Sequence, residues 1–142
     1  MRYGRGGDIL VAEYRLWDFL DERQENVILQ WVKDDALTKR DRAVLNQKIK
    51  RLSQMDYDLA KQTRLLAGPI YKHVYKLVIH GDVMLRPMLC RGPILNTGEY
   101  TFLIGAVETG GRLPAGVKEK AENRRLVVVN DQRRRVQHEQ IP

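Results

Sequence analysis

Four side chains between positions 76 and 108 are of the types that phosphodiester chemistry uses: Lys76, His80, Arg86 and Glu108. Cutting RNA without a metal takes a base near the attacking 2′-hydroxyl, cations around the scissile phosphate and an acid for the leaving oxygen. Preorganised donors must face the negative charge as it develops. Arginine suits the phosphate because its planar fork is always charged. Arg86 and Lys76 on neighbouring strands, with Arg91, Arg112 and the basic residues Lys118, Arg124 and Arg125 of a last helix nearby, would supply that cationic surface. His80, beside a turn, is of the type that moves protons near neutral pH. Glu108, at the end of a strand, is a candidate base. Each has a plainer reading: His80 as a solvated hairpin residue, Glu108 as a paired strand-end charge, and Arg86 as one half of a buried salt bridge to an acid of the first helix.

The elements that must position these residues follow from periodicity. Ile9–Trp17 alternates as a first strand, and Phe19–Lys33 carries a helical stripe of Phe19, Leu20, Val27, Ile28, Trp31 and Val32 before Asp34-Asp35 breaks it. Thr38 is an N-cap for a second helix reaching to about Met55, with Asp41 completing a capping box and Leu45, Ile49, Leu52 and Met55 on one face. The two form a helical hairpin. Gly68-Pro69 marks a turn before a sheet. Lys72–His80 and Val83–Cys90 alternate at period two around Gly81-Asp82, which suits a two-residue hairpin loop. That register puts Arg86 on the face opposite Lys76 and His80, whereas a three-residue loop with a bulge puts all three on one face, and the pattern does not decide. Pro87 suggests that this strand is an edge or is bent there. A loop from Arg91 to Gly98 precedes a third strand, Tyr100–Val107. Pro114-Ala115 opens the last helix, with Val117, Ala121 and Val128 inside, although Val127-Val128-Val129 would suit a strand equally well. Arg133-Arg134-Arg135 lies in a polar tail.

Composition bounds the function. The 142 residues, 43% hydrophobic and 30% charged, suit one globular domain, with residues 1–8 and 131–142 expected to be flexible. No apolar run reaches the ~18–20 residues of a membrane span, and Ile9–Ala12 is too short for a signal peptide. A lone cysteine, Cys90, excludes an internal disulfide and fits a reducing cytoplasm; with three histidines it makes a zinc site improbable. No cofactor or metal is expected. The net charge of +7 is uneven: residues 8–35 hold eight acids against three bases, residues 38–76 ten bases against three acids, and residues 112–142 eight bases against four acids. That layout suggests a polyanion on one side and a separate partner surface on the other. Walker, Rossmann, G-x-S-x-G and HExxH signatures are absent. Cys90 reads as packing, and Trp17, Phe19 and Trp31 as core.

Three segments carry a family resemblance. Leu66-Ala67-Gly68-Pro69-Ile70-Tyr71 through Tyr75-Lys76-Leu77, then Val83-Met84-Leu85-Arg86-Pro87, then Phe102-Leu103-Ile104-Gly105-Ala106 with Gly110-Gly111-Arg112-Leu113-Pro114 and Val117–Arg125, resemble the RelE/ParE toxin superfamily, especially its HigB-like, phage-derived branch. The resemblance covers roughly residues 9–130 and is better from Leu65 onward. It implies an α+β fold: a small twisted antiparallel sheet with an N-terminal helical hairpin on one face and a C-terminal basic helix. It also implies the toxin of a type II toxin–antitoxin pair, an endoribonuclease that cleaves mRNA on the ribosome and is silenced by a small antitoxin, often a helix-turn-helix protein. Carried over, Arg86 grips the scissile phosphate and Lys76 is a second phosphate contact. The chain departs from the pattern in two places: Glu108-Thr109 stands where the family has a lysine pair, and Leu85 where it has a tyrosine. The alternatives are a non-catalytic basic protein of the same fold that binds RNA, DNA or a host factor, and a gyrase-directed toxin of the ParE kind.

Overall fold

The structure, a computed structural model, describes residues 13–142. Expectations for residues 1–8, and for the Ile9–Ala12 part of the first strand, lie outside the described residues. The described residues form an α+β fold, with four α-helices and an open, mostly antiparallel seven-stranded sheet. β1 (Arg15–Phe19) leads into α1 (Val27–Asp34), α2 (Lys39–Leu52) and α3 (Tyr57–Gln62). The strands β2 (Leu66–Tyr71), β3 (Val74–Leu77), β4 (Ile79–His80), β5 (Met84–Arg91) and β6 (Glu99–Glu108) follow, then α4 (Val117–Asn130) and β7 (Arg135–Gln137). The sheet order is β2-β3-β5-β6-β1-β7, with β4 continuing the β3 side of β5.

Local chemistry sets the helix ends. The first helix starts at Val27, later than the stripe from Phe19 predicts, because Asp21 accepts the N–H groups of Arg23 and Glu25 in a turn. Asn26 then caps the N–H groups of Ile28 and Leu29. Phe19 and Leu20 therefore belong to the strand side, and Phe19 is buried. Thr38 and Asp41 form the expected capping box, worth about 1 kcal/mol. A third helix, unforeseen, is capped by Asp56 through Leu59 N–H.

The sheet differs from expectation in several ways. Gly68-Pro69 sits inside β2, and the β2–β3 turn is made by Lys72-His73, Lys72 at φ +50°. His80 pairs with Met84 and Ile79 with Leu85, so the loop is three residues long and Arg86 shares a face with Lys76 and His80. Pro87 is not on an edge. It lies in interior strand β5, level with Leu77 at the end of β3, where it has no N–H to give the ladder, and the register of β5 with β6 shifts just beyond it, between Met88 and Leu89. β1 pairs parallel to β6, since the three helices carry the chain across before the hairpins return it. Val127–Val129 is helical. The C-terminal segment is no loose polar tail: β7 pairs with β1, Arg135 is buried against Glu99 at 2.8 Å, and Asn46 clamps the backbone of buried Ile141.

Side chains on the two sheet faces feed two clusters. Leu77, Ile79, Leu85, Leu89 and Phe102 pack with Trp31, Leu45, Ile49 and Leu52 of the first helices. Val74, Met88, Cys90, Leu103 and Ala106 pack with Val117 and Ala121 of α4. Each large apolar side chain buried here contributes roughly 1.5–3 kcal/mol. Gly105 lets the Trp31 ring rest against β6, where a Cβ would collide with the indole. Burial also pushes the Cys90 thiol up to about 12, so it stays protonated and packs as a small hydrophobe.

Candidate functional site

Adjacent strands bring the predicted chemistry together. Across the sheet His80 faces Met84, which faces Glu108; Arg86 faces Ala106 of the same strand β6. Glu108 reaches between two cations. Arg86 Nε donates to its Oε1 at 2.7 Å and Lys76 Nζ donates to its Oε2 at 3.3 Å. The acid that pairs with Arg86 thus comes from β6 and not from the first helix. Burial pushes the Glu108 carboxyl upward, but the Arg86 hydrogen bond and the charges of Arg86 and Lys76 outweigh it and hold the group below its ordinary range. It is a carboxylate at neutral pH.

The three partners differ in access. Arg86 is 6% exposed, and its Nη1 donates inward to the carbonyls of Ile79 and Leu85. Its fork is committed to protein acceptors on two of its three nitrogens. Lys76 keeps 20% of its side chain exposed, and Glu108 12%. Both line a groove of about 560 Å³ whose opposite wall is the Gly111–Glu119 segment. Arg112 and Lys118, both exposed, stand in that wall. Their approach is set by the tight Thr109–Arg112 turn, with paired N–H and carbonyl groups at 3.0 Å, and by α4 starting after Gly116 at φ +79°. His80 is exposed on the same sheet face, beside a loop fixed by the second helix: Asp41 accepts Asp82 N–H at 2.7 Å, and Thr38 Oγ1 donates to Asp82 Oδ2 at 2.7 Å.

The other predicted cations lie elsewhere. Lys76, Arg86, Arg91 and Arg112 do not converge on one surface: Arg91, five positions beyond Arg86 on β5, sits roughly 17 Å along the strand. Its guanidinium stacks 4.0 Å from the Tyr57 ring centroid at the far end of the sheet. Arg125 also lines a cleft there and forms a two-point pair with Glu122 at 2.8 and 2.7 Å. Arg124 turns to a third place. It donates to the Leu103 carbonyl at 2.9 Å and lies 5.3 Å from the Phe19 ring, and burial holds its pKa below the ordinary arginine value against the opposing pull of Asp21 and Glu22.

Sequence reasoning missed Tyr57, Tyr75, His73 and Asn96 around Arg91. The signal for Tyr57 was Asp56, an N-cap, but a helix of six residues is too short to show a stripe. Among the described residues no group of three or more His, Cys, Asp or Glu could hold a metal ion, and no helix is long and apolar enough to cross a membrane. Comparison with protein families, characterised proteins and solved structures finds no match to this chain.

Proposed function

We propose that this chain is a ribonuclease toxin of the RelE-like kind, cutting RNA at the Lys76–Glu108–Arg86 cluster. The observation that supports the reading is one carboxylate bracketed by two cations at 2.7 and 3.3 Å, at the wall of a groove rimmed by Arg112 and Lys118. Glu108 takes the proton of the 2′-hydroxyl, and the 2′-oxygen bonds to phosphorus as the bond from phosphorus to the 5′-oxygen breaks. His80, in its protonated form, gives the 5′-oxygen a proton. The products are a 2′,3′-cyclic phosphate and a 5′-hydroxyl. Lys76, the more exposed cation, shifts from Glu108 to the phosphate as the carboxylate is neutralised. Arg86 acts from behind, holding Glu108 ionised and in place. Arg112 and Lys118 hold the flanking phosphates. In this reading the substrate is mRNA on the ribosome, the compartment is the cytoplasm, and a small antitoxin of the helix-turn-helix kind silences the protein.

One observation favours a second reading. Arg86, the residue assigned to the scissile phosphate by resemblance, spends its hydrogen bonds on Glu108, Ile79 and Leu85. A cluster so self-satisfied suits a basic protein that binds RNA without cutting it.

Induced expression in a bacterium distinguishes the two. The proposal expects growth arrest with new internal ends in mRNA, both relieved by Glu108→Gln at unchanged protein level. A wild-type chain that leaves growth and mRNA intact yet retains RNA on purification would overturn cleavage and support the binding reading.

A further inference from the structure

The far end of the sheet holds a second constellation that the cleavage cluster does not use. Tyr57 and Tyr75 meet edge to face with centroids 5.6 Å apart and their hydroxyls 3.5 Å apart. The Arg91 guanidinium covers one side of the Tyr57 ring at 4.0 Å. Arg91 lines two hollows. One, of about 170 Å³, includes Tyr57; the other, of about 350 Å³, does not, and is lined by His73, Tyr75, Arg91, Pro93, Asn96 and Arg125. One face of the guanidinium is thus spent on Tyr57, and the larger cleft opens on the rest of it.

The cations here are in different states. Arg86, Arg125 and Arg135 are each locked to a carboxylate, at 2.7, 2.7 and 2.8 Å. Arg91 forms no salt bridge among the described residues although Asp56, Asp58 and Glu99 line the neighbouring hollow. Its charge is ordered by the Tyr57 ring and by the neighbouring Tyr75 hydroxyl, and no carboxylate among the described residues neutralises it. Asn96, exposed on the cleft wall, adds an amide that offers both a donor and an acceptor and makes no side-chain hydrogen bond among the described residues. A planar cation backed by a tyrosine, a second tyrosine and an amide able to read either kind of base edge are the parts with which proteins hold an unstacked base.

We infer that the cleft between Tyr75, Arg91 and Asn96 is a nucleobase subsite, which holds one splayed base of a single RNA strand by stacking on Arg91 while Asn96 contacts its edge. The inference rests on the RNA reading above for the identity of the polymer. It adds that the substrate is single-stranded and gripped at a second point, at least the length of β5 from Glu108. A strand long enough to reach both points binds best, and duplex RNA, whose bases are stacked away, binds worse.

The test separates this subsite from cleavage by using an RNA that cannot be cut. Fluorescence anisotropy follows binding of a labelled 2′-O-methyl octauridylate, which has no free 2′-hydroxyl within the chain, and of the same backbone lacking its bases. Wild-type chain, Arg91→Ala, Arg91→Lys and Asn96→Ala are compared, with thermal melting to check folding. The expected result is a loss of about 5- to 150-fold in affinity for the octauridylate in Arg91→Ala. Arg91→Lys should lose nearly as much, because lysine keeps the charge and loses the planar face. Asn96→Ala should lose less, and the abasic strand should bind all four alike. Full affinity in Arg91→Lys would reduce the cleft to a charge and overturn the stacking subsite, as would unchanged affinity in Arg91→Ala. Equal or tighter binding of a duplex would overturn it too. A chain that fails to cut RNA but shows the Arg91 pattern keeps the subsite and loses only the cleavage reading; one that binds no RNA at all loses both.

Discussion

Arg86 Nε lies 2.7 Å from Glu108 Oε1, and the two residues, on adjacent strands, form an ion pair of which only 7% and 12% of the side chains reach solvent. An arginine that a sequence reading assigns to the phosphate is therefore part of the sheet. In a buried pair, removing one partner strands the other charge, whereas replacing both removes the desolvation cost as well.

Arg86→Ala is expected to lose about 3–5 kcal/mol of stability, and the double replacement Arg86→Leu with Glu108→Leu to lie near the wild type or above it. Urea titration measures both. An alanine variant as stable as wild type would show that the pair carries no such burden, and would return Arg86 to a purely functional role.

The pair also sets the response to acid. Glu108, Glu99 and Glu122 all sit below their ordinary value of 4.5 in the folded chain. For Glu108 and Glu99 burial works upward and is outweighed by Arg86 with Lys76, and by Arg135 with backbone donors; for Glu122 the Arg125 hydrogen bond is the largest influence. A depressed folded value means stability that is complete above the ordinary value and is lost as pH falls through the folded one. The denaturation midpoint should hold from neutrality to about pH 5 and drop below it. The slope should be shallower in Glu108→Gln. A midpoint that rises on acidification would contradict these three pairs.

Gly105→Ala places a methyl group into the Trp31 ring. Because the backbone there is not in the left-handed region, the cost is overpacking alone, about 1–3 kcal/mol. Trp31→Leu in the same chain should relieve part of it, which a double-mutant cycle read by thermal melting would reveal as coupling. Additive losses would mean that the ring does not rest on that glycine.

How far these features were legible in the sequence varies with the reach of the interaction. The second helix was readable because Thr38, Asp41, Leu45, Ile49 and Leu52 act within a few residues of one another. Val117, Ala121 and Val128 likewise marked the inner side of the last helix. The sharing of one face by Lys76 and Arg86 was an open alternative, because a loop of two or three residues at Gly81 inverts every side chain of the following strand. Three things had no local signal. The parallel pairing of β1 with β6 joins segments more than eighty residues apart. The burial of Arg135 depends on Glu99, and the stacking of Arg91 on Tyr57 depends on a six-residue helix. Charge patterning found the cations but could not say which would be neutralised internally.

Salt dependence separates free cations from committed ones. For single-stranded RNA the slope of log affinity against log salt falls by roughly 0.7 for each phosphate contact removed. Arg112→Ala and Lys118→Ala, both at exposed positions of the groove, should each reduce the slope by about that amount. Arg124→Ala, whose guanidinium is bonded to the Leu103 carbonyl, should leave it unchanged. Equal effects from all three would mean that the groove has no special part in binding.

The most direct test of the account is the chemistry of the cut. mRNA programmed on ribosomes is incubated with purified protein, and the fragment ends are identified. Attack by the 2′-oxygen under Glu108 predicts upstream fragments ending in 2′,3′-cyclic phosphate and downstream fragments beginning with a 5′-hydroxyl. Glu108→Gln should slow their formation by about 10²–10⁴-fold. Intact mRNA, fragments carrying 5′-phosphates, or a Glu108→Gln variant that cuts at the wild-type rate would contradict the assignment of the cluster as a ribonuclease centre.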